Sequence, residues 1–319
     1  MIRRVSRVLG AVAATALVAA GCGSADGSAA PAALEKHDLT IAAVPAADSA
    51  GVYIAQQDGL FAAQGLHVTI VPAISSKTVI QQQLAGKYDI TSGNYVSYIE
   101  ADAVDHAGLK IVAAGSIVQP RCQELMIPAG SSIKTVSELK GKRIGVNVTG
   151  GIGSLLIDAL LQGSQILPNQ VHFVAIDFPE MAAALKQHRI DAAFMPEPFA
   201  TNAEQSTGAE PVADLDQGAV QALPISGYAA TQTWLRKYPK AAAAFRRALI
   251  AAQRIADSDP KAVEKAMVTY SKVSQAAAAV MAAPTFPLDT DSVLIQRIAD
   301  LMQQYQMLQQ PYNVNQMLG

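Results

Sequence analysis

From Leu39 onward the apolar residues fall into short β-rich runs, separated by segments in which they recur every three or four positions. The runs at 39–44, 67–71, 88–92 and 109–114 predict strands. Between them, 50–58, 78–85 and 95–107 predict helices, the first two stopped by Gly59 and Gly86. A second round of the same grammar follows. Strands are expected at 124–127, 143–148, 171–176, 190–195 and 211–215, and helices at 136–139, 153–161, 181–187 and 197–205. Strands alternating with crossover helices specify an α/β fold on mostly parallel sheets. The two rounds echo each other: a helix end, a turn and an aspartate opening a strand occur at 83–91 around Asp89 and again at 184–193 around Asp191. Two similar lobes are the expected arrangement.

Beyond 226–228 the pattern changes to alanine-rich helices at 233–238, 240–257, 260–271, 275–282 and 292–308. Pro239, Pro260 and Pro284 sit at their joints, where proline starts or ends a helix at little cost. This stretch reads as a C-terminal helical shell packed on the lobes.

The N-terminus carries a different signal. Arg3, Arg4 and Arg7 precede an uninterrupted apolar stretch at 9–20, short for a bilayer span, and small residues follow. That is the layout of a cleaved signal peptide over 1–21. Val18, Ala19, Ala20 and Gly21 before Cys22 resemble a bacterial lipobox, with Ala19 where leucine is more usual. The resemblance implies that Cys22 is lipidated and becomes the mature N-terminus, and two or more acyl chains would hold the protein stably on a membrane. An ordinary cleaved signal followed by an unmodified cysteine is the alternative. The Gly/Ser/Ala-rich stretch at 23–33 suits a flexible tether, so 22–36 is assigned to the lipidated N-terminus and tether.

Only Cys122 is left for the folded part, which excludes an internal disulfide and reads as a buried apolar side chain rather than a reactive thiol. Half of the 319 residues are hydrophobic and 16% are charged, so a sizeable core can be buried. A formal net charge of −2 gives no electrostatic footprint for nucleic acid. His37, His67, His106, His172 and His188 are scattered without metal-ligand spacing. No nucleophile–base pairing and no P-loop occur, so neither a metal nor a cofactor is expected.

Three segments carry a family resemblance. They are the run from Tyr53 to Phe61 with Gly65 to Val68, the run from Leu139 to Val146, and the run from Asp191 to Phe199 that contains Pro196, Glu197 and Pro198. In this order and spacing the chain resembles, over about 39–260, bacterial solute-binding proteins of the nitrate, sulfonate and taurine importers, a group that includes binders of thiamine-pyrimidine precursors. The resemblance implies a two-lobed periplasmic-binding fold of the type with two interlobe crossings (type II). The first crossing is expected near 118–124 and the return near 223–231, giving lobe 1 as 37–118 with 229–319 and lobe 2 as 119–228. It implies further a monomer on the outer face of the cytoplasmic membrane. Hinge closure on a small-molecule ligand would precede docking on an ABC permease driven by a separate ATPase. The expected ligand is a small organic anion such as a sulfonate, taurine or nitrate; a pyrimidine or other aromatic nutrient is the alternative. Enzymes of this fold that make the thiamine pyrimidine carry a cysteine-rich iron-site motif, which this chain lacks.

Ligands of open α/β sheets gather at the carboxyl ends of the strands, where helix N-termini offer unpaired N–H groups. That geometry nominates Ser49 and the helix holding Tyr53 after the first strand, and Asp48 for a ligand ammonium such as an aminosulfonate carries, with capping as the other role of Ser49 and Asp48. It nominates Asn94 and Tyr95 after the third strand. Thr149, Gly150 and Gly151 form a candidate anion cradle before a helix, although a plain strand-to-helix turn has the same composition. Glu197 either accepts from a ligand N–H or favours the start of its own helix. Ser116 and Arg121 lie near the first crossing, where Arg121 serves either an anion or a hinge salt bridge. Tyr228 is an aromatic candidate at the return.

Overall fold

The computed structural model describes residues 33–318. The expected signal peptide, Cys22 and all but the last residues of the tether lie outside the described residues. Among those described, no helix is long and apolar enough to cross a membrane.

Lobe 1 is laid down as β1 (Asp38–Ala43), α1 (Ala50–Gln57), α2 (Leu60–Ala63), β2 (His67–Pro72), α3 (Ser76–Leu84), β3 (Ile90–Asn94), α4 (Tyr95–Asp105) and β4 (Leu109–Ile117). Lobe 2 follows as β5 (Gln123–Ile127), β6 (Arg143–Val146), α5 (Ile152–Gly163), β7 (His172–Ala175), α6 (Phe178–Lys186), β8 (Ala192–Pro196), α7 (Phe199–Thr207) and β9 (Glu210–Asp214). The chain then returns as β10 (Pro224–Thr231) and ends in α8 (Gln232–Lys237), α9 (Pro239–Ser258), α10 (Pro260–Tyr270), α11 (Gln275–Ala278) and α12 (Ser292–Gln304). Helix α7 starts two residues later than its sequence pattern indicates because Pro198 occupies its N-cap.

The sheet orders are β2-β1-β3-β10-β4 and β7-β6-β8-β5-β9. In each, the strand that arrives from the other lobe occupies the fourth place and runs antiparallel to its neighbours. The remaining pairs, β1 with β2 and β3, and β6 with β7 and β8, are parallel. The two lobes therefore share one topology, which the Asp89 and Asp191 echo reflects. Both aspartates are used alike: Asp89 Oδ2 accepts from the Thr40 amide at 2.9 Å, and Asp191 Oδ2 accepts from the Arg143 amide at 2.8 Å. Each carboxylate ties the approach to the third strand of its lobe to the first.

Strand β10 has no counterpart in the sequence reading, which places the return crossing at 223–231. All of Pro224–Thr231 belongs to the first sheet, so the return runs over 215–223 and lobe 2 ends near Asp214. Its segment is buried on both faces, holds a proline and a glycine, and has β-branched residues only at Ile225 and Thr231, so neither alternation nor a β-rich run marks it. The two crossings lie side by side, with the Val118 amide donating to the Leu223 carbonyl at 2.9 Å. The tether also ends earlier than 36. Glu35 Oε2 accepts from the Lys240 and Ala241 amides at 3.0 and 3.2 Å, in the first turn of α9, and Lys36 pairs with Asp89.

Helices α9 and α10 cover the α1 face of the first sheet through Phe245, Leu249, Val263 and Met267. Helix α12 packs on α4 and also reaches the return crossing and lobe 2: the Arg297 guanidinium donates to the Gln221 carbonyl of the crossing at 3.0 Å, and Tyr305, just past the helix, donates to Gln162 of α5 at 2.8 Å. The helical shell thus leans on both lobes.

Strands β4 and β10 approach so closely that a methyl group on Gly115 would lie 2.4 Å from Ser226 Oγ and 2.7 Å from the Ser226 carbonyl. Backbone cannot give way as a side chain can. Gly115→Ala is expected to cost about 1–3 kcal/mol by overpacking, read as a melting temperature several degrees lower. Gly163→Ala, with open space around the new methyl, serves as the control and is expected to be neutral or slightly stabilising. Equal melting of the two variants would contradict this account of the strand contact.

Candidate functional site

Between the lobes lies a cavity of about 30 Å³, walled by the carboxyl ends of the parallel strands of both sheets. Lobe 1 contributes Asp48 and Ser49 from the β1–α1 turn, Ser92 to Asn94 from the end of β3, and Ser76 from the start of α3. Lobe 2 contributes Gln123, Asn147, Ile152, and the rings of Phe178 and Phe194. A single backbone bond spans the lobes beside the cavity, the Ala47 amide donating to the Glu197 carbonyl at 2.9 Å.

The lobe 1 wall is a chain of short hydrogen bonds. Asn94 Oδ1 accepts from the Ser97 amide at 2.8 Å, capping α4, while its Nδ2 donates to Ser76 Oγ at 3.0 Å. Ser49 and Ser92 hydroxyls pair at 3.0 Å. Behind them Tyr228 reaches Ser92, and Ser226 donates to the Asp48 carbonyl at 3.1 Å. The wall is positioned from β10 outward.

Asp48 caps no helix: neither the turn Ala47–Ser49 nor α1 has a side-chain cap. Its Oδ1 is buried without a hydrogen-bond partner, and burial pushes the carboxyl up to about 6. Across the cavity, Gln123 Oε1 is likewise buried and unpartnered. Among the described residues, no lysine or arginine lines the cavity. A carboxylate, two hydroxyls and carboxamides between aromatic walls can accept N–H groups of a flat guest, and nothing charged opposes an anion's repulsion by Asp48.

Of the residues nominated from sequence, Ser49 and Asn94 line the cavity. Tyr53 does not. It lies in the lobe 1 core, stacked on Tyr270 at 4.3 Å and donating to the Ala43 carbonyl at 3.2 Å. Tyr228 is buried against Phe245 and touches the wall only from behind. Tyr95 and Ser116 line a second hollow of about 500 Å³, between β4, β10 and the start of α12. Strand alternation separates the two spaces: Ile225 faces the cleft, and its neighbours Pro224 and Ser226 face the hollow. Arg121 does not line the cavity; it is exposed and pairs with two lobe 2 carboxylates, Glu124 at 3.5 Å and Glu204 at 3.8 Å. Thr149 and Gly150 stand outside the cavity wall, and the Gly150 amide already donates to Ser154 Oγ at 3.1 Å, which competes with an anion. The Glu197 carboxylate accepts from Thr201 Oγ1 at 2.7 Å and from its amide at 3.2 Å, and also from the Ala282 amide of the helical shell, so the side chain serves α7 and, like the carbonyl, meets the lobe 1 side.

Sequence reasoning misses Gln123, Asn147, Phe178 and Phe194. Asn147 follows β6 directly and satisfies the strand-end rule, as does Phe178 after β7. Gln123 opens an antiparallel strand, whose amino end lies beside its neighbours' carboxyl ends, so a rule written for parallel strands looks at the wrong terminus. Cys122 is buried, and burial pushes its thiol up to about 12. All five histidines are exposed. Among the described residues no group of three or more histidine, cysteine, aspartate or glutamate side chains is arranged to hold a metal ion.

The profile of a protein family described as NMT1/THI5 like matches residues 46–263. A Haemophilus influenzae protein named for thiamine biosynthesis is 26% identical over 145 residues, 46% of this chain and 45% of that protein, so the match spans less than half of that relative. A 4-amino-5-hydroxymethyl-2-methylpyrimidine phosphate synthase of Uromyces fabae is 25% identical over 241 residues, 70% of this chain and 67% of the relative. Among solved structures, the alkanesulfonate-binding protein SsuA of Xanthomonas axonopodis pv. citri superposes with a TM-score of 0.77 at 18% identity, over 90% of this chain and 99% of that one. The periplasmic nitrate-binding protein NrtA of Synechocystis PCC 6803 superposes with a TM-score of 0.74 at 14% identity, over 89% and 85%. These likenesses establish the periplasmic-binding-protein fold.

An acid whose folded pKa stands above its unfolded value binds its proton more tightly when folded. The cost of Asp48 therefore sets in as the pH rises past its ordinary value of 3.8, is complete above about 6, and is absent below 3.8. Asp48→Asn is expected to melt higher than the parent at pH 7.5, by about 1–2 kcal/mol after allowance for the carboxylate's partial exposure. The gain should vanish near pH 3.5. A gain of the same size at both pH values would show that the buried charge is not its origin.

Proposed function

The chain belongs to the NMT1/THI5-like family, and from that premise we propose that it is the extracytoplasmic solute-binding component of an ABC importer. The observation that carries the reading is the cavity at the facing strand ends of two topologically identical lobes, beside two adjacent crossings. Rotation about 118–122 and 215–223 opens and closes that space, and the Ala47–Glu197 backbone bond forms as the lobes meet. The closed form presents both lobes at once to a permease, which draws on a separate ATPase. Export and a lipid anchor at Cys22 would hold a monomeric binder on the outer face of the cytoplasmic membrane.

The resemblance to sulfonate, taurine and nitrate binders suggests an anion, but the cavity wall supports the alternative better. Asp48 repels an anion at short range, and Phe178 and Phe194 flank the space with flat apolar faces. A compact aromatic or heterocyclic nutrient suits that wall. Turnover of the guest has little support in the residues. The Ser49 hydroxyl is shared between Ser92 and the Asp48 carboxylate as part of the wall, no histidine reaches either hydroxyl, and Cys122 is buried with its thiol held protonated.

Native mass spectrometry of the purified protein is expected to show one small molecule retained per chain and lost on unfolding. The recovered compound should raise the melting temperature as RT ln(1 + [L]/Kd), since only the folded state binds it. A chemically altered product after incubation would overturn the binding-protein reading, as would the absence of any retained molecule together with no thermal shift from sulfonates, nitrate or pyrimidines.

A further inference from the structure

We propose that the ligand is an organic cation, a small ring bearing an amidinium-type N–H pair, and that Asp48 is its counter-ion. This rests on the solute-binding reading above and adds the charge of the guest.

Three observations converge on it. First, Asp48 Oδ1 is buried without a partner at the wall of the cavity, in a turn where its carboxylate supports no helix. The Ser49 hydroxyl and the Asp48 and Ser49 amides serve the carboxylate in part, and the buried oxygen left without a partner destabilises the fold unless a guest supplies the missing donor. Second, no cationic side chain lines the cavity, so the protein itself offers Asp48 no salt bridge there. Third, the groups around it suit planar N–H donors. The Ser92 hydroxyl, paired with Ser49, offers lone pairs to the guest, and Gln123, itself buried, presents its unpartnered amide oxygen from the opposite lobe. Phe194 and Phe178 meet edge to face at 5.9 Å and close the lobe 2 side with apolar surface.

An amidinium offers two parallel N–H groups to a carboxylate and carries its charge in the plane of the ring. An anion would bring a second negative charge against Asp48. A neutral amide would satisfy part of the wall and leave the charge uncompensated. With the lobes touching, the cavity of about 30 Å³ is too small for a ring, so the guest enters when they part and the closed lobes adjust around it.

Benzamidine, benzamide and benzoate are nearly isosteric and differ in charge, so calorimetric titration of the purified protein with each reads the charge preference directly. Benzamidine, protonated at pH 7.5, is expected to bind at least tenfold more tightly than benzamide, with no detectable heat from benzoate. Asp48→Asn should weaken benzamidine at least tenfold and leave benzamide unchanged, its melting curve confirming the fold. Benzoate binding as well as benzamidine, or an unaltered benzamidine affinity in Asp48→Asn, overturns the charge assignment and leaves the solute-binding reading standing. No binding of any of the three to the parent also overturns it, while the retained mass in native spectra still decides the solute-binding reading separately.

Discussion

The insertion of β10 between β3 and β4 is the constraint from which the rest of the molecule follows. It forces the chain to come back from lobe 2 beside its own outward path, so two crossings lie in contact through Val118 and Leu223. It demands a glycine at Gly115, where the Ser226 backbone leaves no room for a methyl group, and another at Gly227, where a methyl would lie 2.7 Å from the Tyr95 hydroxyl. From the same strand, Ser226 holds the Asp48 carbonyl and Tyr228 backs Ser92. A single buried strand thereby sets hinge, cleft wall and the placement of the buried acid.

Much of this is legible in the sequence, for identifiable reasons. Strands and helices of the two rounds announce themselves because each is a local pattern: apolar runs, glycine stops, and an aspartate that ties first and third strands. The shared topology is visible in the echo around Asp89 and Asp191. Strand β10 is not, since it is buried on both faces and its glycine answers to a tyrosine 132 positions earlier in the chain, a contact no local window contains. The same limit governs the site. Ser49 and Asn94 follow from the strand-end rule, whereas Tyr53, Tyr95 and Tyr228 satisfy the rule by position but turn into apolar layers that only the tertiary structure creates. Gln123 escapes because antiparallel insertion reverses which end of a strand faces the cleft.

The electrostatic character of the cleft separates fold from ligand. The fold is that of sulfonate- and nitrate-binding proteins, yet no basic side chain of this chain lines the space where an anion would sit. Two of the helix approaches around the cavity are already supplied: Asn94 caps α4, and Ser154 takes the Gly150 amide ahead of α5. What is left over is acceptor capacity on Asp48 and Gln123. Unspent hydrogen-bonding groups at the meeting of two lobes give binding energy that is available only when a guest bridges them, and that is how closure becomes conditional on occupancy.

The distance between the lobes is therefore the quantity that matters most. Lys77 on α3 and Glu180 on α6 are exposed, one and two positions from the cavity-lining Ser76 and Phe178 of their own lobes. Spin labels at Lys77→Cys and Glu180→Cys, measured by double electron–electron resonance with and without the recovered ligand, report the gap directly, since Cys122 is buried. A broad distance distribution that collapses to one shorter distance on adding ligand is the predicted result. An identical distribution in both samples would contradict the claim that the lobes close on their guest.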